Sequence, residues 1–211
     1  MLGTQNLSTF ILASFLLWIT PGPDTLYILA RSVAQGRRAG WVSALGSSTG
    51  LLVHTAFAAF GLSTILATSA LAFMLIKLAG AAYLIYLGFE ALLKKSQPVA
   101  AAKTPLMGSW QLYRQGLMTN LFNPKVAIFF LAFLPQFVDP TTNLGALPFL
   151  LLGGFIAMGA TVWCLVLAAF ASKATNAVRR NARMSGWLER LAGCLYIALG
   201  LNLLKSKAQP I

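Results

Sequence analysis

The chain has 211 residues, of which 58% are hydrophobic and only 9% charged, against about 25% charged in a soluble domain. So few groups that water solvates well exclude a soluble globular enzyme, and the apolar content excludes intrinsic disorder. Sixteen Lys+Arg against four Asp+Glu give +12, with the cations lying between long apolar runs, which is the charge pattern of a polytopic membrane protein rather than of a nucleic-acid binder.

A helix needs about 20 mostly apolar residues to cross the hydrocarbon of a bilayer. Six runs qualify: 7–30, 39–67, 70–93, 112–138, 145–171 and 187–205. Backbone groups in lipid must be satisfied within the segment, and no alternation of the barrel type occurs, so the expected class is all-α with six transmembrane helices. The first positive residue is Arg31. The basic region that opens a signal peptide is therefore missing, and the first run is expected to remain as a span.

The first span is interrupted by Thr20-Pro21-Gly22-Pro23-Asp24. Each proline removes an N–H donor and clashes with the carbonyl four residues earlier, while Gly22 tolerates backbone angles that other residues do not. The helix that restarts after Pro23 presents free N–H groups and a positive dipole end, suited to a carboxylate. In the second span, Gly46-Ser47-Ser48-Thr49-Gly50 is a small-residue segment; Gly46 and Gly50 there let helices approach closely. His54, beside Thr49 and Thr55, is either a hydrogen-bonded packing residue or a group that titrates during transport. The fourth span repeats the proline device more mildly at Asn123-Pro124-Lys125.

An internal repeat joins the two halves. Lys77-Leu78-Ala79-Gly80-Ala81-Ala82-Tyr83 in the third span reads against Arg190-Leu191-Ala192-Gly193-Cys194-Leu195-Tyr196 in the sixth. Three spans per half is an odd number, so the halves, 1–95 and 110–207, must insert with opposite topology, joined by a cytoplasmic linker at 96–109. Interrupted helices in corresponding positions of inverted repeats point to the binding site of a secondary transporter. The basic residues follow the same plan: Arg31, Arg37 and Arg38 in the first loop, Lys94, Lys95, Lys103 and Arg114 in the third, Lys173, Arg179, Arg180 and Arg183 in the fifth. The positive-inside rule places these loops in the cytoplasm and both termini outside, with Lys205 and Lys207 in the tail as the exception.

Charges in hydrocarbon cost about 2.5–3.5 kcal/mol each on insertion scales and are usually functional. Asp24 and Lys125 are the acid and the base expected deep in the membrane, facing one another across the repeat axis. They either form a structural ion pair or part to hold a zwitterion, Asp24 taking its ammonium and Lys125 its carboxylate, with Thr20 and Asn123 beside them. Substrate departure would then change whether Asp24 holds a proton. Cys164 and Cys194 read as small buried hydrophobes, and with one His and no Cys-x-x-Cys neither a metal centre nor a cofactor is expected.

With these residues in hand, the sequence resembles the LysE/RhtB family of bacterial amino-acid exporters nearly end to end. Three segments carry the resemblance: Thr20 to Asp24, the run from Asn123 to Phe137, and Gly80-Ala81-Ala82-Tyr83-Leu84 followed by Leu87-Gly88. The resemblance implies a multi-pass inner-membrane carrier that moves amino acids or their derivatives out of the cell, driven by the proton gradient, without an ATPase or a prosthetic group. Family members often carry Asn where Asp24 stands. Two other readings stand beside this one. A membrane thiol–disulfide electron carrier would need cysteines at corresponding positions in the halves, and Cys164 and Cys194 do not correspond. A non-transporting membrane interaction protein would need neither Asp24 nor Lys125. Nothing in the sequence chooses the substrate, or between a monomer and a homodimer.

Overall fold

The computed structural model describes residues 3–62, 70–93, 106–139 and 144–171, together with isolated positions between 190 and 204. The expected sixth span and the basic residues of the fifth loop otherwise lie outside the described residues, as do Lys94, Lys95 and Lys103. The described elements are helical, and their one extended contact is an isolated antiparallel bridge between Thr4 and Val138.

The first apolar run folds as two helices, α1 (Leu7–Ile19) and α2 (Pro23–Gln35), bent by 45°. Thr20 precedes a proline and leaves the helical region (φ −74°, ψ 119°), as steric conflict with the next ring requires. Pro23 then occupies the first position of α2, where its missing N–H costs nothing. A single residue, Gly36, turns α2 into α3 (Arg37–Phe57) at φ 85°, a value that favours glycine. The helix runs on through a π turn over Ala58–Leu62.

After α4 (Ala70–Leu93), the fourth run is again two pieces, α5 (Ser109–Leu121) and α6 (Pro124–Ile128). The second piece continues through a π turn (Phe129–Phe133) and a tight 3-10 turn (Leu134–Phe137). The bend here is 48°, so the second interruption is as strong as the first and not milder. The last described helix is α7 (Leu147–Ala171).

Among the described residues, two helices, Arg37–Gly61 and Leu147–Ala171, are long and apolar enough to cross a membrane, and each bent pair supplies one more span if its halves are taken together. The core is a cluster of aromatics and aliphatics from α1, α3, α6 and α7, centred on Phe10, Phe130, Phe133 and Phe149. Phe15, Leu52, Met158 and Phe170 point outward. Apolar exposure of this kind is the surface that lipid tails cover.

Small residues bring α3 against α5. A Cβ on Gly46 would strike the Tyr113 carbonyl, and one on Gly116 would strike that of Ser43, so neither backbone can yield. Arg31 departs from the expected loop. Because α2 continues to Gln35, Arg31 is buried in the helix, stacked on Tyr27 and bonded to Gln35 and Gln115.

Candidate functional site

Proline chemistry creates this site before any side chain enters it. Pro21 has no N–H to offer Leu17 O, and Pro124 has none to offer Asn120 O, so each break leaves a carbonyl without its helical donor. Such a group buried in apolar surroundings costs about 1–3 kcal/mol unless something else bonds it.

At the first break the donor is Lys125. Its ammonium lies 2.9 Å from Thr20 O and 3.4 Å from Leu17 O, capping the end of α1 with a cation where the helix dipole is negative. Thr20 itself is buried, its hydroxyl returned to Leu16 O at 2.6 Å. At the second break His54 Nε2 lies 3.4 Å from Asn120 O, which also accepts from the Asn123 N–H at 2.9 Å. The His54 ring is buried and stacked on Phe130.

Asp24 stands in the first turn of α2, where the positive end of the helix favours a carboxylate. Its two oxygens accept from the side-chain amides of Asn120 and Asn123, each at 3.1 Å. Asn123 also caps α6, its Oδ1 accepting the Lys125 N–H at 3.0 Å. The charges are therefore braced crosswise. Lys125, at the start of α6, holds the end of α1; Asp24, at the start of α2, is held by the end of α5.

Asp24 and Lys125 do not pair directly; each is satisfied by neutral groups. They meet over Gly22, where a Cβ would lie 2.9 Å from Asp24 Oδ1 and 3.0 Å from Lys125 Nζ. Any side chain at Gly22 would push one of them away. Beside Asp24 lies a cavity of about 20 Å³ that touches α1, α2, α3, α6 and α7, with Leu17, Thr25, Val126, Trp163 and Cys164 in its wall. At about 10–15 Å³ per water, it has room for one.

Compared with known proteins, the sequence model of the family described as LysE type translocator matches residues 15–207. The chain belongs to that family.

Among relatives of this LysE-type translocator, an uncharacterized membrane protein of Pseudomonas aeruginosa, PA4757, is 30% identical over 207 residues, 96% of each chain. The Bacillus subtilis membrane protein YrhP is 28% identical over 94% of this chain and 98% of its own. A protein of Salmonella typhimurium named leucine efflux protein is 25% identical over 95% of each. No solved structure matches the chain. Together with the apolar helices, these relatives make the translocator a multi-pass membrane protein.

Of the residues singled out by sequence, Asp24, Lys125, Asn123, Thr20 and Gly22 converge in the translocator, with Pro21, Pro23 and Pro124 shaping the backbone around them. His54 reaches the same cluster through Asn120 but is not in the cavity wall. Gly46 lies against α5, and Gly50 against the Asn120 side chain, where an added Cβ would come within 2.6 Å of Oδ1. Sequence reasoning passed over Asn120 and Trp163. The position of Asn120, four residues before a proline inside an apolar run, was the available signal. Trp163 offered none.

Proposed function

We propose that this LysE-type translocator is a secondary-active exporter of amino acids or their derivatives across the bacterial inner membrane, coupled to protons. Its six spans form two inverted three-helix repeats, 1–95 and 110–207, with both termini periplasmic and the basic loops in the cytoplasm. Substrate enters a midplane site by alternating access. Its ammonium replaces the asparagine amides on Asp24, and its carboxylate draws Lys125 from the α1 carbonyls.

The crosswise bracing carries this reading. Corresponding positions of two bent spans bear opposite charges, each secured at the other's break by neutral hydrogen bonds. Neutral bonds can be exchanged for a zwitterion's charges, whereas a tight ion pair would resist separation. The near-equal bends, 45° and 48°, support inverted repeats, and the leucine efflux relatives support amino-acid export.

The electron-carrier reading has less support: Cys164 is buried, Cys194 exposed, and both are free thiols. Cells fed dipeptides should accumulate free amino acid when the gene is absent and release it when the gene is present. The Lys125→Met protein, checked for membrane insertion, should export at background level; wild-type efflux by that variant would remove Lys125 from the mechanism.

A further inference from the structure

Resting on the exporter reading above, we infer that the substrate is an amino acid with an uncharged aliphatic side chain, and that Trp163 helps to bind it. The cavity beside Asp24 is walled by Leu17, Leu51, Val126 and Ala160 from four different helices, and by the indoles of Trp18 and Trp163. Its remaining lining, Thr25 and Cys164, is neutral.

One carboxylate therefore serves one ammonium. Of the other acids among the described residues, Glu90 is exposed on α4, Asp139 lies beyond the end of the fourth span, and neither lines the cavity. A dibasic amino acid would leave its second cation among aliphatic carbons. An acidic one would bring a second carboxylate up to Asp24. Both burials are strongly disfavoured, whereas a branched hydrocarbon gains by leaving water.

The two indoles differ in a way that assigns them different tasks. Trp18 Nε1 donates to Ile156 O at 3.2 Å, and its ring packs on Gly159, so it is a fixed wall. Trp163 Nε1 is buried and has no partner. Buried indole N–H groups are normally bonded, and an orphan calls for an explanation. Beside a carboxylate that takes the substrate ammonium, the acceptor that fits is the substrate carboxylate. Lys125 is outside the cavity lining and already engaged by two carbonyls. Trp163 borders the cavity, so its unspent donor is assigned to the substrate as a second one.

The test is counterflow with the purified full chain in liposomes loaded with unlabelled leucine. Labelled leucine uptake should be inhibited by valine and isoleucine, and unaffected by lysine, arginine or glutamate in large excess. Lysine or glutamate exchanging as fast as leucine would overturn the aliphatic assignment and leave the exporter reading standing. Exchange of no amino acid at all would overturn the exporter reading itself. Trp163→Phe keeps the ring and deletes the donor; the half-saturating leucine concentration should rise about tenfold, with the maximal rate within a factor of about two. An unchanged value in a monodisperse Trp163→Phe protein removes Trp163 from the site. Should that variant misfold, Trp163→His, which restores a ring N–H, decides the point by keeping leucine affinity or losing it.

Discussion

A carboxylate held by two amides behaves differently under substitution from one held by a cation. Asp24 accepts from the Nδ2 groups of Asn120 and Asn123. In an Asp24→Asn protein one of those amides would face another NH2. Asn120 can answer by flipping, because its Oδ1 is buried and has no partner. The flip turns that unused acceptor toward the new donor, so the variant should fold while lacking the charge. We expect Asp24→Asn to insert normally and to export with a flattened pH profile. Rates measured in liposomes as a function of pH check this; an unaltered profile would exclude Asp24 as proton carrier.

The elements matter through their interruptions and their small faces. Prolines at equivalent places give α1–α2 and α5–α6 nearly the same bend; Lys125 takes up the carbonyl freed at the first break, and the Asn123 N–H together with His54 the one at the second. Across the α3–α5 contact, Gly46 and Gly116 each meet the other helix's backbone, which cannot rotate away as a side chain can. Gly46→Ala should therefore cost about 1–3 kcal/mol, the range for overpacking. A lowered thermal midpoint in detergent, with Gly36→Ala as a strained but uncrowded comparison, measures it. Equal stability to the parent would mean that the helices separate freely.

At the scale of the molecule, the bent spans are tied at both ends. Near the basic loops, Tyr27 bonds Leu112 O at 2.9 Å, and Gln35 exchanges two hydrogen bonds with the Met107 backbone. At the other end, Gln5 bonds Phe137 O, Gln136 O and Val138 O, while the Asp139 N–H donates to Gly3 O. With both ties made, the cavity near Asp24 is about 20 Å³, too small for an amino acid. On the proposed alternating-access reading, one tie opens at a time. Thr4 and Val138, opposed in the antiparallel bridge, have a Cα spacing suited to a disulfide. After Cys164 and Cys194 are replaced by Ser, the Thr4→Cys/Val138→Cys pair should lose export on oxidation and regain it on reduction. Continued export by the cross-linked protein would show that this end need not open.

Hydropathy and the proline motifs by themselves determined the membrane setting, the two interruptions and the rough extent of the described helices. These follow from the local sequence: a run of apolar residues is long enough or it is not, and a proline withholds its N–H wherever it stands. Tertiary packing decided the rest. That Asp24 is held by Asn120 and Asn123, that Lys125 caps α1, that Arg31 turns inward and that Trp163 borders the cavity all depend on which faces of distant helices meet. Such contacts are set by the bend angles and by glycine-sized gaps between helices, and no local pattern along the chain encodes them.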